Sequence, residues 1–263
     1  MASEVKGADI RALPQEMERH TYAIMYEVEG SHWWFAGRRR ILESFVKEIV
    51  SNLNLNGRQP RILDVGCGTG ANLEMLAQFG EAEGVDVSES ALAFCRARGL
   101  NGVTLGAAER LPYADSSFDL VTALDVVEHL DDDREGLSEM RRVLRRDGRA
   151  LLFVPAFMWL WGVQDDVSNH RRRYTLPQLT KRVRAAGFEV ERATYANLTF
   201  FAPILAGRLL MRATGARPAS ENNINVPALN GVLGQLFGAE RFWLRRLNFP
   251  FGVSAVCVAR RRE

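Results

Sequence analysis

The sequence predicts an α/β protein built on a doubly wound sheet, and three observations carry that prediction. From Arg61 to Val154, short apolar runs of strand length alternate with longer runs of helical periodicity, the pattern of a parallel sheet covered on both faces. The first run, Arg61-Ile62-Leu63-Asp64-Val65, empties into a glycine turn, Gly66-Cys67-Gly68-Thr69-Gly70, that opens a helix. The second run ends in an acidic residue, Asp86, about 20 residues beyond that turn. Without Cβ atoms a ligand can lie against the turn, and the free N–H groups of the helix point at it. That is a site for a nucleotide-type cofactor.

The elements follow in order. Residues 1–20 read as a helical lead. Ile41 to Leu53 is an amphipathic helix with Ile41, Leu42, Phe45, Val46, Ile49 and Val50 on one face, and 54–60 is a loop. After the strand at Arg61 come a helix over 69–79, a strand over 81–87 and a helix over 88–98. Two strands (102–106 and 119–124), a helix over 132–146 capped by Gly148, and a strand over 149–154 complete the regular alternation. A helix over 176–186 ends at Gly187, 188–195 is the sixth strand, and 252–260 is the seventh. Between the last two strands lies an insertion. Phe200 to Met211 is apolar but broken by Pro203 and Arg208, and Ala228 to Leu247 places Leu229, Val232, Leu233, Leu236, Phe237, Leu244 and Leu247 on one helical face. The expected organisation is a helical lid over 1–58, a cofactor-binding core over 59–195, a helical insertion over 196–248 and a final core strand over 249–263.

Composition bounds the function. With 263 residues, 47% hydrophobic and 25% charged, the chain suits one α/β domain with an elaboration. Cys67, Cys95 and Cys257 lack metal-ligand spacing and are expected as free thiols in a reducing, cytoplasmic setting. Met1 to Asp9 lacks the apolar core of a secretion signal, and no apolar run reaches spanning length. The net charge of +2 hides an asymmetry: residues 1–133 sum to −10 and residues 134–263 to +12. A basic half can mark a nucleic-acid or membrane face, or simply a surface rich in Arg. The arginines lack a regular aromatic interleave, so a nucleic-acid partner is not expected.

Gly66-x-Gly68-x-x-Ala71 also fits a loose dinucleotide fingerprint, and Asp64 decides against it. A carboxylate two residues before the first glycine repels a pyrophosphate but not a cofactor carrying an ammonium and a sulfonium. The stretch ILDVGCGTGANL resembles motif I of the class I S-adenosylmethionine (SAM) methyltransferases. Arg142 to Gly148 resembles that family's turn into strand five, and Gly106 to Val121 its third-strand loop. The resemblance implies a Rossmann-like, doubly wound seven-stranded sheet with its last strand antiparallel, and SAM as cofactor. It places Asp64, Gly66, Cys67, Gly68 and Asn72 at the cofactor, with Asp86 and Val87 at the ribose and Ala108, Glu109 and Asp125 completing the site. Many relatives carry Asp where this chain has Ala107, so Glu109 or a backbone carbonyl must meet the adenine. Ser31-His-Trp-Trp-Phe-Ala-Gly-Arg-Arg-Arg40 resembles the HWWFxGRR opening of a bacterial subset. In the wider family the N-terminal helices close over the cofactor, where an Arg can clamp the methionine carboxylate and an indole cover the sulfonium or the substrate ring, roles assigned here to Arg38 and Trp34.

Two histidines are the candidates for chemistry. His129 follows strand four in Asp125-Val-Val-Glu128-His129, and is either a pocket residue or a helix-start histidine. His170 follows an aromatic connection after strand five and precedes Arg171, Arg172 and Arg173. It is either a general base or a residue that, with Tyr174, packs the next helix. The three arginines are expected to hold it neutral and to grip an acidic substrate. Asp131, Asp132 and Asp133 are expected to complement a helix N-terminus, with no metal site there. These readings converge on methylation, at O or C, of a small aromatic or lipid-like molecule. A non-catalytic binding subunit and an RNA methyltransferase are the rivals. The apolar faces of 196–248 admit a peripheral membrane or lipid surface, or a second copy of the chain, as partner.

Overall fold

The computed structural model describes residues 19–216 and 227–262, so the lead over 1–18 and the middle of the insertion lie outside the described residues. Its frame is one seven-stranded sheet of order β3-β2-β1-β4-β5-β7-β6. β1 (Arg61–Val65) is central and pairs in parallel with β2 (Glu81–Asp86) and β4 (Phe118–Leu124). β3 (Val103–Leu105) extends the sheet beyond β2, and β5 (Leu144–Pro155) lies beside β4. β7 (Ser254–Arg260) inserts antiparallel between β5 and β6 (Glu189–Ala196). The sequence order reverses beside β1, which opens a crevice at the carboxyl ends of β1 and β4.

Helices cover both faces because the inner strands are apolar on both sides, as in β4, where every residue is buried. α3 (Ala71–Leu76), α4 (Glu89–Ala97), α5 (Asp133–Val143), α6 (Val163–Val167) and α7 (Leu176–Ala185) follow the strands in turn. α1 (Arg19–Val28) and α2 (Trp33–Ser51) precede them, and α8 (Phe201–Thr214), α9 (Pro227–Gly238) and α10 (Glu240–Leu244) form the insertion. Ile41, Leu42, Phe45, Val46 and Ile49 of α2 are buried with Ile62, Leu120, Leu151 and Phe153 of the sheet, as the helical spacing predicted.

Five local expectations are corrected. α3 starts at Ala71 because Gly70 sits at φ 91°, outside the helix, where a Cβ would lie 2.9 Å from Leu100 Cδ1. α5 ends at Val143, three residues early, since Leu144 extends into the core opposite Phe118. The turn that follows is made by Asp147 at φ 63°, so Gly148 is not the helix cap. Pro203 does not break α8, because it falls in the first turn where no intrahelical N–H is needed, and Arg208 points into the protein rather than to water. The helix expected over 228–247 breaks after Gly238, and its apolar residues do not share one buried face. Phe237 and Leu244 are buried, whereas Leu229, Val232, Leu236 and Leu247 are exposed.

The reason lies in how α9 meets α2. The contact uses Asn230, Gly234, Phe237 and Gly238, a face of small residues around one aromatic ring. Asn230 Oδ1 accepts from the Trp33 N–H at 3.3 Å, and Gly234 lies against the Trp33 backbone. On the other side, Gly37 lets Phe237 seat directly on α2. This explains the glycine in the Trp-Trp-Phe-Ala-Gly-Arg run. Replacing Gly37 by Ala gains about 1 kcal/mol of helix propensity, but puts a Cβ 2.6 Å from Phe237 Cδ1. Phe237 is fully buried, so an overpacking cost of ~1–3 kcal/mol should prevail. Gly37→Ala is therefore expected to lower the urea midpoint, and a midpoint at or above wild type would show that α9 yields freely.

Candidate active site

A cavity of about 920 Å³ opens at the carboxyl edge of the sheet, bounded by the turn after β1, the ends of β2, β4 and β5, and the helices α2 and α8. At one end the backbone is the wall. Gly66 and Gly68 take φ 66° and 54°, which glycine adopts without penalty. A Cβ on Gly66 would strike Val126 Cγ2 at 2.5 Å, while one on Gly68 would meet nothing and would fill space bordering the cavity. Asp86 organises this turn: Oδ2 accepts from the Gly68 N–H at 2.8 Å and Oδ1 from the Ser88 N–H at 2.9 Å.

The predicted cofactor residues Trp34, Arg38, Gly66, Cys67, Gly68, Asn72, Asp86, Val87, Ala108, Glu109 and Asp125 all border the cavity. Asp64 does not. It is buried under the turn, where its Oδ1 accepts from Thr122 Oγ1 at 2.6 Å. Burial pushes its carboxyl up to about 7, against the opposing Thr122 hydrogen bond and Arg38 charge. Cys67 packs under Gly84, and its thiol is held protonated by its hydrogen bond to Cys95 and by burial. Arg38 is buried over the Phe153 ring and pairs with Asp125 Oδ2 at 2.8 Å, and its Nε has no hydrogen-bond partner among the described residues. Asp125 itself sits at φ 61° directly after β4, a strained backbone of the kind that collects at functional sites. Glu109 has its carboxyl raised by burial and by Glu135, Asp131 and Asp132, and its Oε2 has no hydrogen-bond partner among the described residues. Trp34 stands edge-on to Trp33 and against Phe237 at 5.3 Å.

Sequence reasoning missed Glu29. This buried residue accepts from Thr69 Oγ1 and pairs with Arg98 Nη2 at 2.6 Å, while Arg39 donates to its carbonyl. The chain between α1 and α2 is thereby tied to the glycine turn.

At the other end of the cavity are His129, His170, Trp161, Phe200, Ile204 and Met211. The two imidazoles meet edge-on, 4.7 Å between centroids and 85° between planes. Burial, and then the His170 charge, depress the basicity of His129 to about 3, which keeps it neutral. Asp165, a second residue missed in the sequence, holds this end together. It is fully buried and faces His170 Nδ1 at 2.8 Å, Arg173 Nε at 2.7 Å, Arg173 Nη2 at 2.8 Å and the Gly162 N–H at 2.7 Å. Burial opposes its charge, but the His170 and Arg173 hydrogen bonds prevail and hold it well below the usual carboxylate range. The only sequence signal was an acid five residues before the histidine.

Arg171 and Arg173 border the cavity, but each of the three arginines already has an acidic partner in the chain. Arg173 is committed to Asp165, Arg172 binds the Leu130 carbonyl and faces Asp133 at 3.4 Å, and Arg171 pairs with Asp131 at 3.0 Å on the surface. Asp132 caps α5 through the Arg134 and Glu135 amides, as expected for acids at a helix start. Asp133 is buried and accepts from the Tyr174 hydroxyl at 2.8 Å, so Tyr174 is a packing residue of this wall.

Comparison with known proteins agrees with this geometry. Residues 63–152, from β1 to β5, match the family model described as a methyltransferase domain. A Mycolicibacterium smegmatis protein named a probable SAM-dependent methyltransferase is 34% identical over 134 residues, which cover 49% of this chain and 52% of the relative. The uncharacterised Bacillus subtilis methyltransferase YcgJ is 36% identical over 124 residues, covering 44% of this chain and 49% of its own. The chain thus spans about half the length of both relatives. A solved complex of the Haloferax volcanii Trm112 methyltransferase activator with its methyltransferase superposes with a TM-score of 0.61 at 17% identity, covering 95% of this chain and 100% of that one. The fold is that of the class I methyltransferases.

The role of Asp86 can be tested without any ligand. Asp86→Asn keeps the size but presents an amide donor to one of two backbone N–H groups. It should cost ~1.5–3 kcal/mol of stability in denaturant unfolding, the range for hydrogen bonds to charged groups. An unchanged midpoint would mean that the carboxylate does not organise the turn.

Proposed function

We propose that the protein is a SAM-dependent methyltransferase acting on a small aromatic or lipid-like acceptor whose hydroxyl must lose its proton, with methylation at O or at an activated carbon. The observation that carries this reading is that one cavity joins the glycine turn to the aromatic and histidine-bearing wall. Bound SAM supplies an electrophilic methyl group on a sulfonium. The residues present fit it: the bare backbone at Gly68 leaves room, and the Glu109 Oε2 awaits a donor.

In this reading Asp86 takes the ribose hydroxyls, Val87, Ala108 and Glu109 take the adenine, and Asn72, Cys67 and the glycine backbone line the turn. Arg38 and Asp125, already paired with each other, offer opposite charges to the two ends of an amino-acid zwitterion. Asp64 acts from beneath by shaping the turn. Trp34 covers the site from α2 and excludes water. At the acceptor end His170 is the proton acceptor. Asp165 takes its Nδ1–H and so leaves the Nε2 lone pair for a hydroxyl, the geometry of an oriented general base. His129, neutral beside it, is the second candidate. Phe200, Ile204, Met211 and Leu233 supply an apolar wall, which favours an uncharged ring or chain over an anion now that the arginines are engaged.

Calorimetry should show SAM and S-adenosylhomocysteine binding at micromolar concentrations and no heat with NAD. Tight NAD binding without a SAM signal would overturn the cofactor. With an acceptor in hand, His170→Ala should lower turnover by ~10²–10⁴, the range for a general base, at unchanged SAM affinity. Full turnover in that variant would move the proton transfer to His129 or remove it altogether.

A further inference from the structure

We propose that Glu128, His129 and His170 form a site for one divalent first-row transition-metal cation, of the Zn²⁺ or Mn²⁺ class, opening into the cavity. A carboxylate oxygen of Glu128 and one ring nitrogen from each histidine lie within 4.8 Å of one another. Bonds of ~2.0–2.2 Å to a common ion leave its ligand atoms ~3–4 Å apart, so about an ångström of closure completes the site.

The second observation is Glu128 itself. Its side chain is fully buried, and neither carboxylate oxygen has a hydrogen-bond partner among the described residues. Burying a carboxylate without donors is costly, and a proton or a cation relieves it; Arg38 and Arg173 act on it by charge only, which leaves both oxygens open to a bound ion. The backbone around it is in order, since the Glu128 carbonyl accepts from the Arg171 N–H at 2.9 Å. Only the side chain is left wanting.

Both histidines are oriented for this role. His170 Nδ1 faces Asp165 Oδ1 at 2.8 Å, and Asp165 is in turn fixed by Arg173, so Nε2 is the nitrogen left for a ligand. A carboxylate behind a metal-bound imidazole is the usual outer shell of such sites. The His129 ring meets that of His170 edge-on, 4.7 Å between centroids, and borders the cavity. Two imidazoles and one carboxylate select Zn²⁺, Mn²⁺ or Fe²⁺ over Mg²⁺ or Ca²⁺. Both imidazoles border the cavity, so three protein ligands leave a coordination position open to it, as in reactive rather than purely structural sites.

The inference stands apart from the methyl-transfer reading. Where both hold, a loaded site engages His170 Nε2, and the acceptor oxygen then meets the cation in place of the free imidazole.

The test is metal uptake by tag-free, full-length protein stripped with chelator. Titration with Co²⁺ should give one bound ion per chain with visible d–d absorption, displaced by one equivalent of Zn²⁺. Glu128→Gln and His170→Ala should each weaken uptake by at least ~10-fold while circular dichroism stays that of wild type. Should a variant not fold, pulsed EPR of wild-type protein loaded with Mn²⁺ decides the matter, because imidazole nitrogen couplings are required. Substoichiometric uptake by the wild type, absent nitrogen couplings, or full uptake by a folded Glu128→Gln, His129→Ala double variant overturns the proposal. SAM calorimetry on the same preparations separates the two readings. Cation uptake without SAM binding sinks the methyltransferase alone, and SAM binding without uptake sinks the cation site alone.

Discussion

Buried negative charge at the carboxyl edge of the sheet is the constraint around which this structure is arranged. A buried carboxylate is tolerated only when paired, hydrogen-bonded or protonated. Each acid at this edge meets the condition in its own way. Asp86 uses the amides of Gly68 and Ser88, and in doing so shapes the glycine turn. Asp165 uses Arg173 and His170, and in doing so aims an imidazole. Glu29 uses Thr69 and Arg98, and ties the α1–α2 connection to the turn. Asp125 uses Arg38. Asp64, with only Thr122, is held partly protonated near neutrality. Glu128, with no hydrogen-bond partner for either oxygen among the described residues, has its carboxyl raised far above the usual range by burial, and that missing partner is what singles it out.

The charge asymmetry of the chain is settled by the same pairing. Arginines of the basic half meet acids of the acidic half: Arg142 with Asp115, Arg145 with Asp119, Arg171 with Asp131, and Arg172 with Asp133. Asp119 shows how far this goes, accepting from Arg58, from the Arg61 backbone and from Arg145 at once. The two halves thus meet in part as complementary surfaces of one fold.

Above the sheet, α8 and α9 close the cavity by different means. α8 inserts Arg208 among the groups facing Asp165, at 3.8 Å from its carboxylate, and Arg212 binds the carbonyls of Trp159 and Trp161. α9 instead lies flat on α2 through glycines, so its larger apolar residues face outward. The wall of the acceptor end is therefore a polar latch on one side and a close helix crossing on the other.

By itself the sequence determined the sheet, its seven strands, the glycine turn and Asp86, because these rest on local signals: a period of two or of 3.6, glycine where φ is positive, and an acid at a strand end. His129 was legible as a candidate because it lies just past the end of β4, and His170 because it closes the aromatic connection that follows β5. Only the tertiary structure decided which charges are spent inside the protein. Asp64 reads in the sequence as a ligand contact but lies buried off the cavity wall on Thr122, and Arg171 to Arg173 read as an anion grip but each pair with an acid of the chain, Asp131, Asp133 and Asp165. Likewise Glu29 joins Thr69 across 40 residues, and Glu128 meets His170 only because the strand-five connection folds back over strand four. Such pairings depend on which elements pack together, and no spacing along the chain encodes them.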